Sequence, residues 1–479
     1  MKTKILFLIV LLFTTTSNAE NLLDIYKDAI NNDPIYKQNI AKTYAISEGV
    51  KISLSSLLPS INGTVNPYLL KQHSSGSGAI FIGDKSTRGY NFVLSATQTI
   101  FNFAQISNFA KARATAKQAS ANLNYASQDL ITRVTKNYFQ ILEDVDNLRS
   151  AESTKKAFAK QLDQAEQQFK VGVKTITNVY TAQASYEESS AALIAAMNKL
   201  ENDRENLRVI TGKMYKSLSK LGNKFPLITP KPSNIDDWTK ISTQQNWQVK
   251  AAQLAVTAAK ENIHQQLAGH FPTINAEGNY IVNFSRDMGT SVKDLINPPG
   301  PAHLTTPRIA LNLQVPIIQG GRVLAETRQA KDNYQATYQE LEQTVRNTVN
   351  KTRQSYLNVI SGIQKIKADK KAIQSSKSSL EGMKEGYKVG TEILVNVLNQ
   401  QRQVFINERI YAADRYAYIN NIILLKQAAG TLAPGDIYSL NSWLGKDIIL
   451  NKEFPEAVRK MIEQKNKKIK NNQGLRFLH

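Results

Sequence analysis

The sequence predicts a mainly α-helical chain that also supplies strands to a transmembrane β-barrel. Three observations predict it. Long stretches carry no Gly or Pro and are rich in strong helix formers. Four stretches of about ten residues alternate apolar and polar, the length and period of a membrane strand. The chain also repeats itself: FKVGVKTITNV at Phe169–Val179 returns as YKVGTEILVNV at Tyr387–Val397.

The chain opens with MKTKILFLIVLLFTTTSNAE. Basic Lys2 and Lys4 precede an apolar run from Ile5 to Phe13, and small or polar residues lead to Ala19. This three-part pattern predicts a secretory signal peptide over 1–19. The apolar run is too short for a membrane anchor, and no later stretch suits a transmembrane helix. There is no cysteine among the 479 residues, so disulfides, zinc-thiolate sites and cysteine nucleophiles are excluded. The formal charge is +21, or +19 without Lys2 and Lys4. Export argues against nucleic acid as the partner. Nine Lys/Arg against four Asp/Glu fall in Lys446–His479, and the remaining excess is spread along the chain. A Lys-rich solvated surface accounts for that distribution.

The repeat extends well beyond its two short sentences. Gly172 and Gly390, Gly212 and Gly430, and Tyr138 and Tyr356 all stand 218 residues apart, while Pro59 and Pro272 stand 213 apart. The five-residue slippage falls where loop length is free. KFPLITPKPSN at Lys224–Asn234 reads as a Pro-rich linker. The expected organisation is a signal peptide (1–19), a first repeat (20–223), a linker (224–234), a second repeat (235–434) and a C-terminal segment with a basic tail (435–479).

Each repeat predicts long helices. Phe101–Val171 runs 71 residues without Gly or Pro, Val173–Thr211 and Thr391–Ala429 run 39 each, and Arg322–Ser361 runs 40. At 1.5 Å per residue a 65-residue helix is about 100 Å long, more than a compact globule needs. Ile131, Val134, Tyr138, Ile141, Val145 and Leu148 are spaced as heptads, and Val349, Thr352, Tyr356, Val359, Ile363 and Ile366 repeat the spacing. The predicted strands are Ile61–Leu69, Tyr90–Thr99, Ile274–Phe284 and Ile309–Ile317. QHSSGSGAIFIGDKSTR and SRDMGTSVKDLINPPGPAHLTTPR read as long outward loops. Four strands cannot close a barrel, and open edges are not tolerated in lipid. Several chains must therefore combine, and because eight strands fill their own interior, a conducting pore favours three or more chains.

An enzyme is not expected. The five His show no His-Glu-x-x-His pairing, and there is no phosphate-cradling Gly loop or nucleophile elbow. No cofactor, metal or catalytic residue is assigned. A secreted coiled-coil adhesin or scaffold would use the helices but has no use for four alternating strands. A polyanion-binding surface protein would show steep salt dependence.

Taken together, AINNDPIYKQNIAKTYAISEGV near the start, LLPSI and FPTI before strands, QVPIIQGGRV after the fourth strand and the two repeated sentences resemble the TolC-like outer-membrane efflux proteins. The resemblance covers the mature chain to about Leu432. It implies a homotrimer in which four strands per chain form a shared 12-stranded barrel in outer-membrane lipid. Long helices would form a coiled-coil tunnel projecting into the periplasm of a Gram-negative bacterium. It further implies an exit duct of a tripartite efflux pump or type I secretion system that passively conducts drugs, toxins or proteins. The implied partners are a periplasmic adaptor and an inner-membrane transporter of the RND, ABC or MFS class, with no nucleic acid. Gly172 and Gly390 would turn the helical hairpins at the periplasmic tip, where an adaptor docks.

The chain departs from the family pattern at that tip. The family commonly carries Val-Asp-Val-Leu-Asp at the entrance constriction, where this chain has Val395-Asn396-Val397-Leu398-Asn399. With amides at Asn396 and Asn399, divalent-cation block and cation selectivity are expected to be weak. The family's linking Arg is Glu392 here, and its Thr-Asp pair is Thr177-Asn178. A Lys174–Glu392 pair is one candidate to replace that link with its charges reversed, and Tyr387 matches a linking Tyr able to hydrogen-bond across to the first hairpin.

Overall fold

The structure is a computed structural model, and it describes residues 20–74, 83–222, 225–288 and 300–450. The signal peptide expected at 1–19, the centres of both outward loops and the basic tail beyond 450 lie outside the described residues. In chain order the elements are α1 (Leu22–Asn32), α2 (Pro34–Ser55), β1 (Ser60–Ser74), β2 (Gly83–Phe101), α3 (Phe103–Lys170), α4 (Ile176–Thr211) and β3 (Ser217–Leu221). They continue with α5 (Ile235–Gln245), α6 (Trp247–Leu267), β4 (Thr273–Met288), β5 (Ala302–Gln314), α7 (Arg322–Val389), α8 (Leu394–Ala429), α9 (Pro434–Asn441) and β6 (Leu444–Ile449). The duplication is literal. Helices α3 and α7 each span 68 residues, and α4 and α8 each span 36. Helix α7 runs beyond the Gly-free stretch expected from sequence, through Gly362, Gly382 and Gly386. Each helical Gly costs only about 1 kcal/mol, which so long a packed helix absorbs.

The chain forms two units. One comprises Met1–Gln38, Tyr125–Asn246 and Asn347–His479, and the other Asn39–Asn124 and Trp247–Arg346. Each draws on both repeats. The first is helical, with a small β3–β6 antiparallel sheet. The predicted heptad seams are its core: Ile131, Val134, Tyr138, Ile141, Val145 and Leu148 are all buried, as are Thr352, Tyr356, Val359, Ile363 and Ile366. Val349 is half-buried. Tyr138 Oη donates to the Ser219 carbonyl at 2.6 Å, and Tyr356 Oη donates to the Ser233 carbonyl. A buried phenol needs such a partner.

Two polar clusters sit in this helical unit. Asp33 caps α2, accepting from the Tyr36 N–H at 2.6 Å, and receives the Arg133 guanidinium through two bonds of 2.7 and 3.0 Å. Burial would raise its carboxyl, but Arg133 and the Tyr36 N–H outweigh that and hold it below the usual range. In the other cluster, Lys199 Nζ lies 2.6 Å from Asp144 and 2.9 Å from Asp203. Burial and the neighbouring Asp203 push the Asp144 carboxyl up to about 7, against the pull of an ammonium it shares with Asp203.

The second unit holds one antiparallel sheet of order β1-β2-β4-β5. Its strands are longer than the sequence stretches that predict them. Strand β5 starts seven residues before Ile309 and stops at Gln314, because Pro316 offers no N–H to extend the ladder. Pro67 and Pro307 lie in β1 and β5, the two edge strands, where a missing N–H is tolerated. The registers align rows across the sheet. On one face run Gly63–Leu94–Tyr280–Pro307, Val65–Phe92–Val282–Thr305 and Pro67–Tyr90–Phe284–His303. On the other run Asn62–Ser95–Asn279–Arg308 and Asn66–Asn91–Asn283–Leu304, with Leu70, Val93, Ile281 and Leu304 as apolar exceptions. The apolar face is open: Ile61, Val65, Leu69, Ile309 and Leu311 are exposed, Ile309 at 93%. Among the described residues, no helix is long and apolar enough to cross a membrane.

Candidate functional site at the paired helical turns

The two repeated sentences form two turns of identical hydrogen bonding. After α3, Gly172 N bonds the Phe169 carbonyl at 2.9 Å, and the Val173 and Lys174 N–H groups bond the Gln168 carbonyl at 2.9 and 3.3 Å. After α7, Gly390 N bonds Tyr387 O at 3.3 Å, and the Thr391 and Glu392 N–H groups bond Gly386 O at 2.9 and 3.3 Å. These are Schellman-type ends, which need a left-handed residue after the helix. Gly172 has φ +74 and Gly390 φ +85. A Cβ at either would meet nothing within 4 Å, so backbone conformation, not crowding, selects glycine there.

The two hairpins pack on each other. Leu394 and Leu398 of α8 are buried against Phe158 and Ala165 of α3 and Val179 and Ala182 of α4. Val397 faces Leu380 and Val404. With positions 394, 397 and 398 turned inward, Asn396 and Asn399 fall on the exposed side of α8. Asn396 Nδ2 donates to Glu392 Oε2 at 2.8 Å, and Asn399 Oδ1 accepts from Arg402 at 3.4 Å. Arg402 also reaches Glu188 of α4 at 2.7 Å.

Tyr387 bridges the hairpins. Its hydroxyl donates to Gln168 Oε1 at 3.1 Å, and Lys174 Nζ lies 4.9 Å from the centre of its ring. Burial pushes the phenol up, so it remains a donor. Lys174 and Glu392 do not pair within the chain. Lys174 lies over the Tyr387 ring, and Glu392 accepts from Asn396. Thr177 and Asn178 lie in the first turn of α4, where the Thr177 carbonyl accepts from Thr181 and the Asn178 N–H bonds the Thr175 carbonyl. Gln168, Glu188 and Arg402 are contacts that sequence spacing did not single out. Their partners stand 214 to 219 residues away, and no local pattern marks them.

The second repeated glycine pair has a different task. Gly212 and Gly430 end α4 and α8 in left-handed conformation, φ +71 and +76. Gly430 is pressed against α5: a Cβ there would lie 2.5 Å from the Gln245 backbone and 2.7 Å from Asn246 Cα. Asn246 Nδ2 donates to the Ala428 carbonyl at 2.8 Å, and buried Gln128 donates to the Gly430 and Leu432 carbonyls at 3.1 and 2.8 Å. At Gly212 a Cβ would meet only Asn32, at 3.7 Å.

Comparison with known proteins agrees with this architecture. The family described as outer membrane efflux protein matches residues 25–213 and 238–431, one match per repeat. The chain is 32% identical over 426 residues to outer membrane protein TolC of Vibrio cholerae, covering 89% of this chain and 94% of that protein. It is 30% identical to TolC of Escherichia coli, covering 95% and 90%. It is 24% identical to the alkaline protease secretion protein AprF of Pseudomonas aeruginosa, covering 89% and 88%. Among solved structures, the CmeC outer membrane channel of Campylobacter jejuni shares the fold with a TM-score of 0.74 at 16% identity, covering 89% of this chain and 90% of that one. The duplicated hairpins, the four-stranded sheet and these matches place the chain in the outer membrane efflux protein family, as a protein of the Gram-negative outer membrane.

Proposed function

We propose that three copies of this chain assemble into one exit duct, whose shared barrel and helical tunnel passively conduct cargo out of the cell. The observation that carries the proposal is the sheet. Its strands of 13 to 19 residues exceed the 9–11 needed to cross a bilayer, one face is apolar and open, and among the described residues nothing pairs with the outer sides of β1 and β5. Open edges in lipid require partners, and β1 of one copy against β5 of the next supplies them. A secreted scaffold would have no use for an exposed apolar sheet. The hairpin tips are the entrance, with Asn396 and Asn399 at its constriction. Lys174, Thr177, Asn178, Tyr387 and Glu392 lie around the closure, and the Gly172 and Gly390 turns are the adaptor-facing points. The partners are a periplasmic adaptor and an inner-membrane transporter. The family is described as outer membrane efflux protein and AprF as a protease secretion protein, so the cargo is a small molecule or a protein.

Two experiments test the proposal. Purified protein reconstituted in planar bilayers conducts as a trimer; a non-conducting monomer refutes the duct. The amide constriction further predicts conductance insensitive to divalent cations, and Asn396→Asp with Asn399→Asp confers block. Deleting the gene raises intracellular accumulation of a fluorescent efflux substrate if the cargo is drug-like. If accumulation is unchanged and a secreted protein disappears from the medium, the cargo is protein.

A further inference from the structure

Beyond its aromatic row, the apolar face of the sheet carries a basic patch that conduction does not use. In the row Pro67–Tyr90–Phe284–His303, the Tyr90 and Phe284 rings stack with centroids 5.2 Å apart, and His303 lies tilted against Phe284 at 4.8 Å. Amphipathic rings collect where hydrocarbon gives way to headgroups. Two residues further toward the loops, on the same face, the register sets Leu69 opposite Arg88 and Arg88 opposite Arg286. Lys71 follows on β1, one more step out. Both arginines are exposed, although β2 and β4 are the inner strands of the sheet, so no missing edge partner explains that exposure.

Among the described residues, no ion pair involves Lys71, Arg88 or Arg286. Like charges directly opposite across a ladder repel. Two facing guanidinium groups at headgroup depth therefore call for a shared anion, and a phosphate suits their forked geometry. The patch lies at the loop end of the strands, away from the helices that each strand pair joins at its other end. If the sheet spans the outer membrane as proposed above, that end faces the outer leaflet.

We infer that Arg88 and Arg286, with Lys71 beside them, form a binding site for the phosphate of a phosphorylated glycolipid of the outer leaflet. The site is on the lipid side of the wall, so its occupancy seats the barrel at a defined depth without touching the conduit. This inference rests on the barrel reading, and its test separates the two.

The trimer is purified in detergent, and binding of diphosphorylated lipid A is followed by native mass spectrometry and by the rise in melting temperature. Dephosphorylated lipid A and phosphatidylglycerol serve as comparison probes. Wild type is expected to bind the diphosphorylated form and melt higher with it. Arg88→Gln with Arg286→Gln weakens binding at least about tenfold, the loss expected for removing charge-assisted phosphate contacts. Arg308→Gln, on the polar face of the same sheet, leaves binding unchanged. Equal loss with Arg308→Gln, unchanged binding in the Arg88/Arg286 variant, or equal binding of phosphatidylglycerol overturns the inference. Planar-bilayer conductance of the Arg88/Arg286 variant stays at the wild-type value. If wild type itself does not conduct, the barrel reading fails instead.

Discussion

Substituting Gly212 and Gly430 by Ala separates two costs that usually come together. Both residues hold the same position in their repeats, and their φ values differ by only a few degrees, +71 against +76. An L-residue in this left-handed region costs about 1–2 kcal/mol, and both variants incur it. Their surroundings differ. At Gly212 the new methyl meets Asn32 at 3.7 Å, an ordinary contact. At Gly430 it meets the Gln245 and Asn246 backbone at 2.5 to 2.7 Å, so the end of α5 must move by roughly an ångström. That overlap costs about 1–3 kcal/mol, and the movement strains the bond from Asn246 to the last turn of α8 and those from Gln128 to the carbonyls just beyond it, at about 1 kcal/mol for each residue. Gly430→Ala should therefore be less stable than Gly212→Ala by about 3–5 kcal/mol. Thermal unfolding followed by far-ultraviolet circular dichroism on detergent-solubilised protein reads the difference at matched scan rate. Gly390→Ala, with nothing within 4 Å of its Cβ, should melt with Gly212→Ala. If all three variants melt together, the backbone overlap at Gly430 carries no energy and the reasoning is wrong.

Tyr387→Phe combined with Arg402→Ala removes two ties between the hairpins, together about 1–1.5 kcal/mol. Single-channel recording should show an open fraction about tenfold higher, and an unchanged fraction removes these contacts from the closure. Asp33 has a lowered folded pKa, so its contribution is present above the unfolded carboxylate value near 4 and is lost as pH falls through the folded value. Asp33→Asn should cost about 1–3 kcal/mol at pH 7, because Arg133 loses its buried carboxylate and keeps only Asp129, and its stability should fall less than that of wild type on acidification, as urea titrations at pH 7 and 3 would show. Asp144 has the opposite sign. Its folded pKa is raised to about 7, so the stabilisation it gives when protonated is lost as pH rises toward that value. Asp144→Asn should be more stable than wild type at pH 8, with the advantage gone at pH 4. A pH-independent difference between the two would contradict the shift.

Local periodicity determined most of this protein. Heptad spacing at Ile131–Leu148 and Val349–Ile366 specified a buried seam, because a helix presents positions three and four apart on one side wherever it packs. Alternation specified two-faced strands for the same reason at period two, and the repeated glycines marked turns because only a residue tolerant of positive φ reverses a helix so tightly. The resemblance carried by the repeated sentences extended this to the family. What tertiary structure decided were the partners. Strand β5 extends back through Pro307 because β4 is there to pair with it, and it ends at Gln314. The β3–β6 sheet joins Ser217–Leu221 to Leu444–Ile449, segments too short to announce themselves. Lys174 faces Tyr387 and not Glu392, Gly430 is pressed against the backbone at the end of α5 where Gly212 faces only Asn32, and Arg88 meets Arg286. Each of these depends on which side chain or backbone lies opposite after the chain has folded back, and spacing along a sequence records the face a residue occupies but not what stands against it.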